Sequence, residues 1–187
     1  MLQQGVAQRA IEDVAETVAR MREFYRPREP QIALGRIHVN RAVQQIVELT
    51  RARWSDVAQQ RGVMIELRTE LADDLPELIG AESEVRDALT NLIFNAVDAM
   101  PNGGILTLRT YLVGSQHMCL EVRDTGLGMD EETRRRCLEP FYTTKGERGT
   151  GLGLAMVYGM VQRHSAELEI ESEPGPMTRC RRMSIAC

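Results

Sequence analysis

The sequence is short of basic charge, of histidine and of long apolar runs. Its 187 residues carry 23 Lys and Arg against 27 Asp and Glu, a net charge of −4. A sequence-independent nucleic-acid binder needs clustered cations to neutralise phosphates, so that class is excluded and no nucleic-acid partner is expected. The two densest basic clusters, Arg134–Arg136 and Arg179–Arg182, are short and read as solvated surface. Cys119, Cys137, Cys180 and Cys187 are scattered without a C-x-x-C pair, which excludes a zinc site and a disulfide framework and suggests reduced thiols. No apolar run approaches the ~18 residues of a membrane span, and the N-terminus has no signal-peptide pattern. The chain therefore reads as soluble and cytoplasmic, while a parent protein remains free to be membrane-anchored. No internal repeat is present.

What is there begins with an amphipathic helix. Ile11, Val14, Val18, Met21 and Tyr25 follow the spacing of a coiled-coil or bundle seam over residues 2–26. Such a seam needs cover, either from a second copy as a homodimer, from a missing helix, or from the chain's own domain. Pro27 and Pro30 break the pattern, so 28–37 read as a linker. From Val39 a helix of about six turns runs to near Gly62, followed by a strand at Val63, Ile65 and Leu67. A polar loop leads to a helix over roughly 81–100. Strands follow at about 105–113 and 117–123, forming a hairpin around Gly114. A short helix near 130–137, a long loop, a helix from Gly151 to about His164, and strands near 167–172 and 179–186 complete the chain. Helices and mostly antiparallel strands in this order predict an α+β fold, a two-layer α/β sandwich with one sheet under three helices, preceded by the long first helix.

Three stretches stand out chemically. In "NLIFNAVDAM", residues 91–100, two asparagines lie on one stripe with Asp87 and Asp98, within a sector of about 80° at 100° per residue. An unpartnered buried amide costs about 1–3 kcal/mol, so something polar must face that stripe. It is either neighbouring backbone or a ligand such as phosphate with a metal ion. "DTGLGM", Asp124 to Met129, opens a sharp turn after a strand, where an ionised carboxylate suits an exocyclic amine. A plain Asp-initiated turn is the alternative. "GERGTGLGLA", Gly146 to Ala155, leaves free amides at a helix N-terminus, suited to phosphate or serving as a flexible hinge. It is not a P-loop, because G-x-x-x-x-G-K-[ST] is absent, nor a dinucleotide fingerprint, because no strand immediately precedes it.

In this order, "NLIFNAVDAM", "DTGLGM", "EPFYTTK" and "GTGLGLA" resemble the box series of the histidine-kinase catalytic and ATP-binding domain. That domain belongs to the GHKL superfamily of gyrase, heat-shock chaperone, histidine kinase and mismatch-repair ATPases, with the Bergerat ATP-binding fold. The resemblance covers about residues 38–186, and "NAVDAM" with "EPFYTTK" is most similar to the nitrogen-regulation subfamily. The first helix resembles the second helix of a dimerisation and histidine-phosphotransfer domain. The implied organisation is 1–27 remnant helix, 28–37 linker and 38–187 catalytic domain.

The resemblance implies ATP and Mg²⁺ as cofactors. Asn95 would coordinate the Mg²⁺, with Asn91 beside the phosphates on the same helix face. Asp124 would bind adenine N6, with Gly126 and Gly128 shaping the pocket. Phe141 would belong to a mobile lid over about 139–150, and Lys145 would bring a cation to the γ-phosphate. Thr150, Gly151, Leu152, Gly153 and Leu154 would form the phosphate loop. Asn91 and Lys145 would act on the reaction itself. ATPases of the superfamily carry a water-activating glutamate where this chain has Asn91, and a neutral amide cannot take that proton. Spontaneous hydrolysis is therefore expected to be slow. His38, His117 and His164 all lack the family's phosphoacceptor pattern and read as structural or surface residues.

The expectation is a truncated sensor histidine kinase of a two-component system. Its partners would be a histidine-phosphotransfer helix domain of the same parent and a response regulator receiver domain. The alternatives are a degenerate nucleotide-binding switch without phosphotransfer, a GHKL-type ATPase and an anti-sigma type serine kinase. Two departures stand out. Gly175-Pro176-Met177-Thr178 replaces the usual Gly-x-Gly-Thr turn, leaving a role for Thr178 in doubt. Ser165-Ala166 replaces the glycine that usually follows the helix at His164.

Overall fold

The computed structural model describes residues 34–60, 62–114, 117–146, 149–175 and 179–186. The expected helix at 2–26, most of the linker and Thr178 lie outside the described residues.

The strands and helices are β1 (Gly35–Ile37), α1 (Val39–Arg51), a π turn (Ala52–Asp56) continuing into α2 (Val57–Gln60), β2 (Ile65–Leu71), β3 (Leu78–Gly80), α3 (Glu82–Ala99), β4 (Gly104–Val113), β5 (His117–Asp124), α4 (Glu131–Arg136), α5 (Gly153–Arg163), β6 (Glu167–Glu171) and β7 (Arg179–Ala186). Five strands make one sheet in the order β2-β4-β5-β7-β6, leaving β2 and β6 at its edges. The β2–β4 pair is parallel and the others antiparallel. This is the two-layer α+β arrangement that the element order predicts.

Strand alternation decides which side chains face the helices. Along β5, Met118, Leu120, Val122 and Asp124 share one parity, and all four are buried. Met118, Leu120 and Val122 meet Val85, Leu89, Leu92, Ile93 and Ala96 of α3 and Val157, Met160 and Val161 of α5 in one core. Each fully buried leucine or isoleucine there contributes about 1.5–3 kcal/mol over an exposed one. Asp124 is thus the last inward position of a core strand, which places its carboxylate at the rim of the core.

Two elements depart from expectation. Gly35–Ile37, the end of the stretch read as a linker, pair as β1 with β3, itself inside the stretch read as a polar loop. Ile37 and Leu78 enter the core from this small sheet, while Arg36 and His38 lie 2.8 and 2.9 Å from the Glu77 carboxylate. The helix from Val39 does not run straight to Gly62. It widens into the π turn, where the Trp54 indole N–H donates to the Val47 carbonyl at 3.3 Å.

His164 has a structural role, as the sequence suggests. Its Nε2 accepts the Ala81 N–H at 3.0 Å, satisfying a backbone donor where α3 lacks a side-chain cap. Its Nδ1, 3.0 Å from the Met160 carbonyl, then carries the proton. A Cβ on Gly80 would press on this ring, so glycine is required there.

Ser165 takes the left-handed conformation, φ 52°, that glycine adopts at this point of a helix end. The cap is nevertheless regular, with Ala166 N–H donating to Val161 O at 2.9 Å and Ser165 N–H to Gln162 O at 3.2 Å. A non-glycine residue in this region carries a steric penalty of about 1–2 kcal/mol. Ser165→Gly is therefore expected to stabilise the fold by about 1 kcal/mol, less the larger chain entropy that glycine loses on folding. Urea unfolding midpoints of the two proteins measure this directly.

Candidate functional site

The site is organised by one helix. α3 presents its polar stripe outward while its other sides are buried, and three distant segments touch it in sequence along its length. Near its middle the start of α5 abuts both asparagines: a Cβ on Gly153 would lie 3.3 Å from Asn91 Oδ1 and 3.3 Å from Asn95 Nδ2. Both asparagines are half-buried. Asn91 Nδ2 donates to the Asp87 carbonyl one turn back, at 3.0 Å. Backbone therefore satisfies part of one amide, and the rest of the stripe faces the glycine segment.

One turn further on, Lys145 arrives. Its ammonium lies 3.0 Å from Asn95 Oδ1 and 2.8 Å from Asp98 Oδ2. The other Asp98 oxygen accepts from Arg53 Nη2 at 2.9 Å, out of the π turn. Partial burial pushes the Asp98 carboxyl up, but the hydrogen bonds and charges of Lys145 and Arg53 outweigh it and hold the group below the usual carboxylate range. The contribution of this carboxylate to stability is present above its unfolded pKa and is lost as pH falls through the depressed folded value.

At the end of the helix the turn after β5 docks. Leu127 N–H donates to the Ala99 carbonyl at 2.8 Å, and a Cβ on Gly126 would collide with that same carbonyl. Gly126 N–H donates to Asp124 Oδ1 at 3.0 Å, so the Asx turn orients a carboxylate that is 2% exposed. Gly128 follows at φ 73°. From Asn91 to Ala99 the helix rises about 12 Å. Amides and glycine loop therefore lie at one end of the site and the buried carboxylate at the other.

The segment between these ends is fastened at its base. Phe141 N–H donates to Gly151 O at 3.0 Å, and Phe141 is held at φ 68° with its ring half-exposed. Gly151, at φ 65°, has no room for a Cβ against the Phe141 backbone. Arg136 stacks 4.2 Å over the Tyr142 ring and binds Glu139 at 3.0 Å. Leu152 is fully buried and anchors the glycine loop, while Thr150 and Leu154 are half-buried beside it. Asn91, Asn95, Lys145 and Gly153 are thus neighbours, while Gly151, two residues earlier in the loop, packs on Phe141. Asp124 and Gly126 reach α3 separately.

The Asn95 and Asp98 oxygens converge on one cation, here the Lys145 ammonium. A hard divalent ion prefers such oxygen donors, with phosphate and water completing its shell, so these residues fit Mg²⁺. Among the described residues no group of three or more His, Cys, Asp or Glu side chains could hold a metal. The part played by Asp98 with Arg53 was not legible in sequence beyond its place on the stripe.

The description "Histidine kinase-, DNA gyrase B-, and HSP90-like ATPase" matches residues 80–184, more than half of the chain. The chain belongs to this ATPase family. Sporulation kinase E of Bacillus subtilis (strain 168) is 36% identical over 114 residues, 61% of this chain and 15% of that protein. The chain thus spans a small part of that relative's length. Among solved structures, the mycobacterial sensor histidine kinase MprB superposes with a TM-score of 0.69 at 25% identity, covering 82% of this chain and 97% of that one. Full-length ShkA in complex with AMPPNP superposes with a TM-score of 0.80 at 24% identity, over 96% of this chain and 37% of that one. The fold is that of histidine-kinase ATPase domains, as the box series implies. No described helix is long and apolar enough to cross a membrane.

Proposed function

We propose that this chain is the ATP-binding catalytic domain of a cytoplasmic two-component sensor histidine kinase, passing the γ-phosphoryl of ATP to a histidine on a helical domain of its parent. The phosphohistidine would then serve a response regulator receiver domain. The observation that carries the reading is the convergence of three motif segments on α3, the glycine loop at Asn91 and Asn95, Lys145 at Asn95, and the Asp124 turn at Ala99. In this reading Asp124 accepts a hydrogen bond from the adenine amine, with Gly126 and Gly128 letting the base approach. Free amides from Gly151 to Leu154, flanked by Thr150, bind phosphate at the start of α5. Phe141 lies beside the nucleotide and Lys145 steadies charge on the transferring group. Asn95 would hold Mg²⁺, whose chemistry there is to neutralise the phosphate oxygens.

Asn91 separates transfer from hydrolysis. It offers no base to water, and its Nδ2 is already engaged by the Asp87 carbonyl. Glu84, earlier on α3, is occupied by Arg163 at 2.8 Å. The likeness to the nitrogen-regulation subfamily rests on "NAVDAM" and "EPFYTTK" alone.

The test follows the γ-phosphate of labelled ATP incubated with the chain and Mg²⁺, then with an added histidine-phosphotransfer helix domain. Bound ATP should keep its phosphate until the acceptor is supplied. Steady release to water would mean an ATPase, and binding with no transfer to any acceptor would mean a nucleotide switch.

A further inference from the structure

Lys145 is far from Arg53 and Asp98 in sequence, yet the three form one charge network. Asp98 stands between two cations, one on each carboxylate oxygen, Lys145 at 2.8 Å and Arg53 at 2.9 Å. Lys145 spends a second donor on Asn95 Oδ1 at 3.0 Å. Arg53 is itself fixed, its guanidinium 5.5 Å from the Phe94 ring centroid. The network thus joins the π turn, α3 and the segment from Glu139 to Gly146. An isolated exposed ion pair contributes little. This one is half-shielded, has three charged members and adds a neutral amide that the proposed reading gives to a metal ion.

That overlap is informative. Asn95 has a single amide oxygen, and the ammonium already sits on it. A divalent ion on the same oxygen would lie a few ångströms from Nζ, where like charges repel strongly. Both cannot hold Asn95 at once. The base of the segment does not depend on this contact, because Phe141 is tied to Gly151 and Tyr142 lies under Arg136. The Lys145 end is fastened to α3 by charge, helped by Lys145 N–H donating to Thr143 Oγ1 at 3.1 Å.

We propose that Asp98 and Arg53 are positioning residues that hold Lys145 on the Asn95 amide in the nucleotide-free protein, and that Lys145 gives up this place when metal and nucleotide load. The second half rests on the function proposed above; the first does not. Asp98 keeps Lys145 docked beside the phosphate end of the site, and release turns the ammonium toward the incoming phosphates. Arg53 supports the Asp98 carboxylate from the opposite side, so its loss weakens the hold without abolishing it.

Hydrogen–deuterium exchange of the full chain tests this, read at the Tyr142 and Lys145 amides. Without nucleotide, Asp98→Asn and Lys145→Met should each raise exchange by about three- to five-fold, and Arg53→Met by about two-fold. The Asp98→Asn/Lys145→Met double variant should match either single variant, because both remove the same contact. Unchanged exchange in Asp98→Asn, or effects that multiply in the double variant, would overturn the clamp. With saturating Mg²⁺ and AMPPNP, Asp98→Asn should no longer alter exchange at these amides, and a persistent effect would overturn the hand-over. Calorimetry reads nucleotide binding separately. Its failure would sink the proposed function and the hand-over together, leaving the nucleotide-free cycle to decide the clamp.

Discussion

Asp124→Asn should lower affinity for adenine nucleotide by about 30- to 150-fold while leaving the fold intact. The carboxylate is buried at the rim of the core, and Gly126 N–H already occupies Oδ1. An asparagine of the same shape can keep that turn bond with its oxygen. Its amide nitrogen then points a donor where the proposed base presents a donor of its own. Losing a charge-assisted acceptor and leaving a desolvated donor unmatched costs about 2–3 kcal/mol, which is the expected loss of affinity. Titration calorimetry with AMPPNP measures it. A guanine nucleotide, lacking the exocyclic amine at that position, should bind weakly to both proteins and lose little. Equal losses for the two nucleotides would mean that Asp124 supports the pocket without reading the base.

The second large effect is expected at Asn95. Asn95→Ala removes the amide oxygen on which the Lys145 ammonium sits. Phosphoryl transfer to a supplied histidine helix should fall by about 100-fold, near 2.7 kcal/mol of transition-state stabilisation. Binding of nucleotide in EDTA should change little, and the gain in affinity that Mg²⁺ gives should disappear. Stability should change little, since alanine is the better helix former and the half-buried amide contributes no core contact. A variant that loses metal-free binding to the same extent would place Asn95 on the nucleotide itself.

Much of this arrangement was legible in the sequence because it is local. The polar stripe of α3 follows from helical spacing alone, and the inward place of Asp124 follows from strand parity counted back through Val122, Leu120 and Met118. Order along the chain then linked the glycine segments to that helix. What stayed hidden depends on short elements or distant partners. β1 and β3 are three residues each, too brief for alternation to register, and they become strands only by pairing with one another. The attachment of Asp98 to Arg53 and Lys145 spans 45 and 47 residues, with no local signature at either end. Ser165 shows the opposite case. The usual glycine is missing there, yet the backbone hydrogen bonds of the cap form with the serine at positive φ.

Among the described residues the sheet ends on β2 and β6, and these two margins bear on how the protein behaves at high concentration. β2 carries Glu66, Arg68 and Glu70 along one margin, and β6 carries Glu167, Glu169 and Glu171 along the other. A row of unpaired backbone groups invites strands from other molecules, and charged side chains spaced along it oppose that growth. Lateral stacking of sheets between copies is therefore discouraged by like-charge repulsion, most of all at the glutamate-lined margin, where two copies would bring carboxylates face to face. Concentrated solutions of the chain should accordingly resist association through the β6 margin.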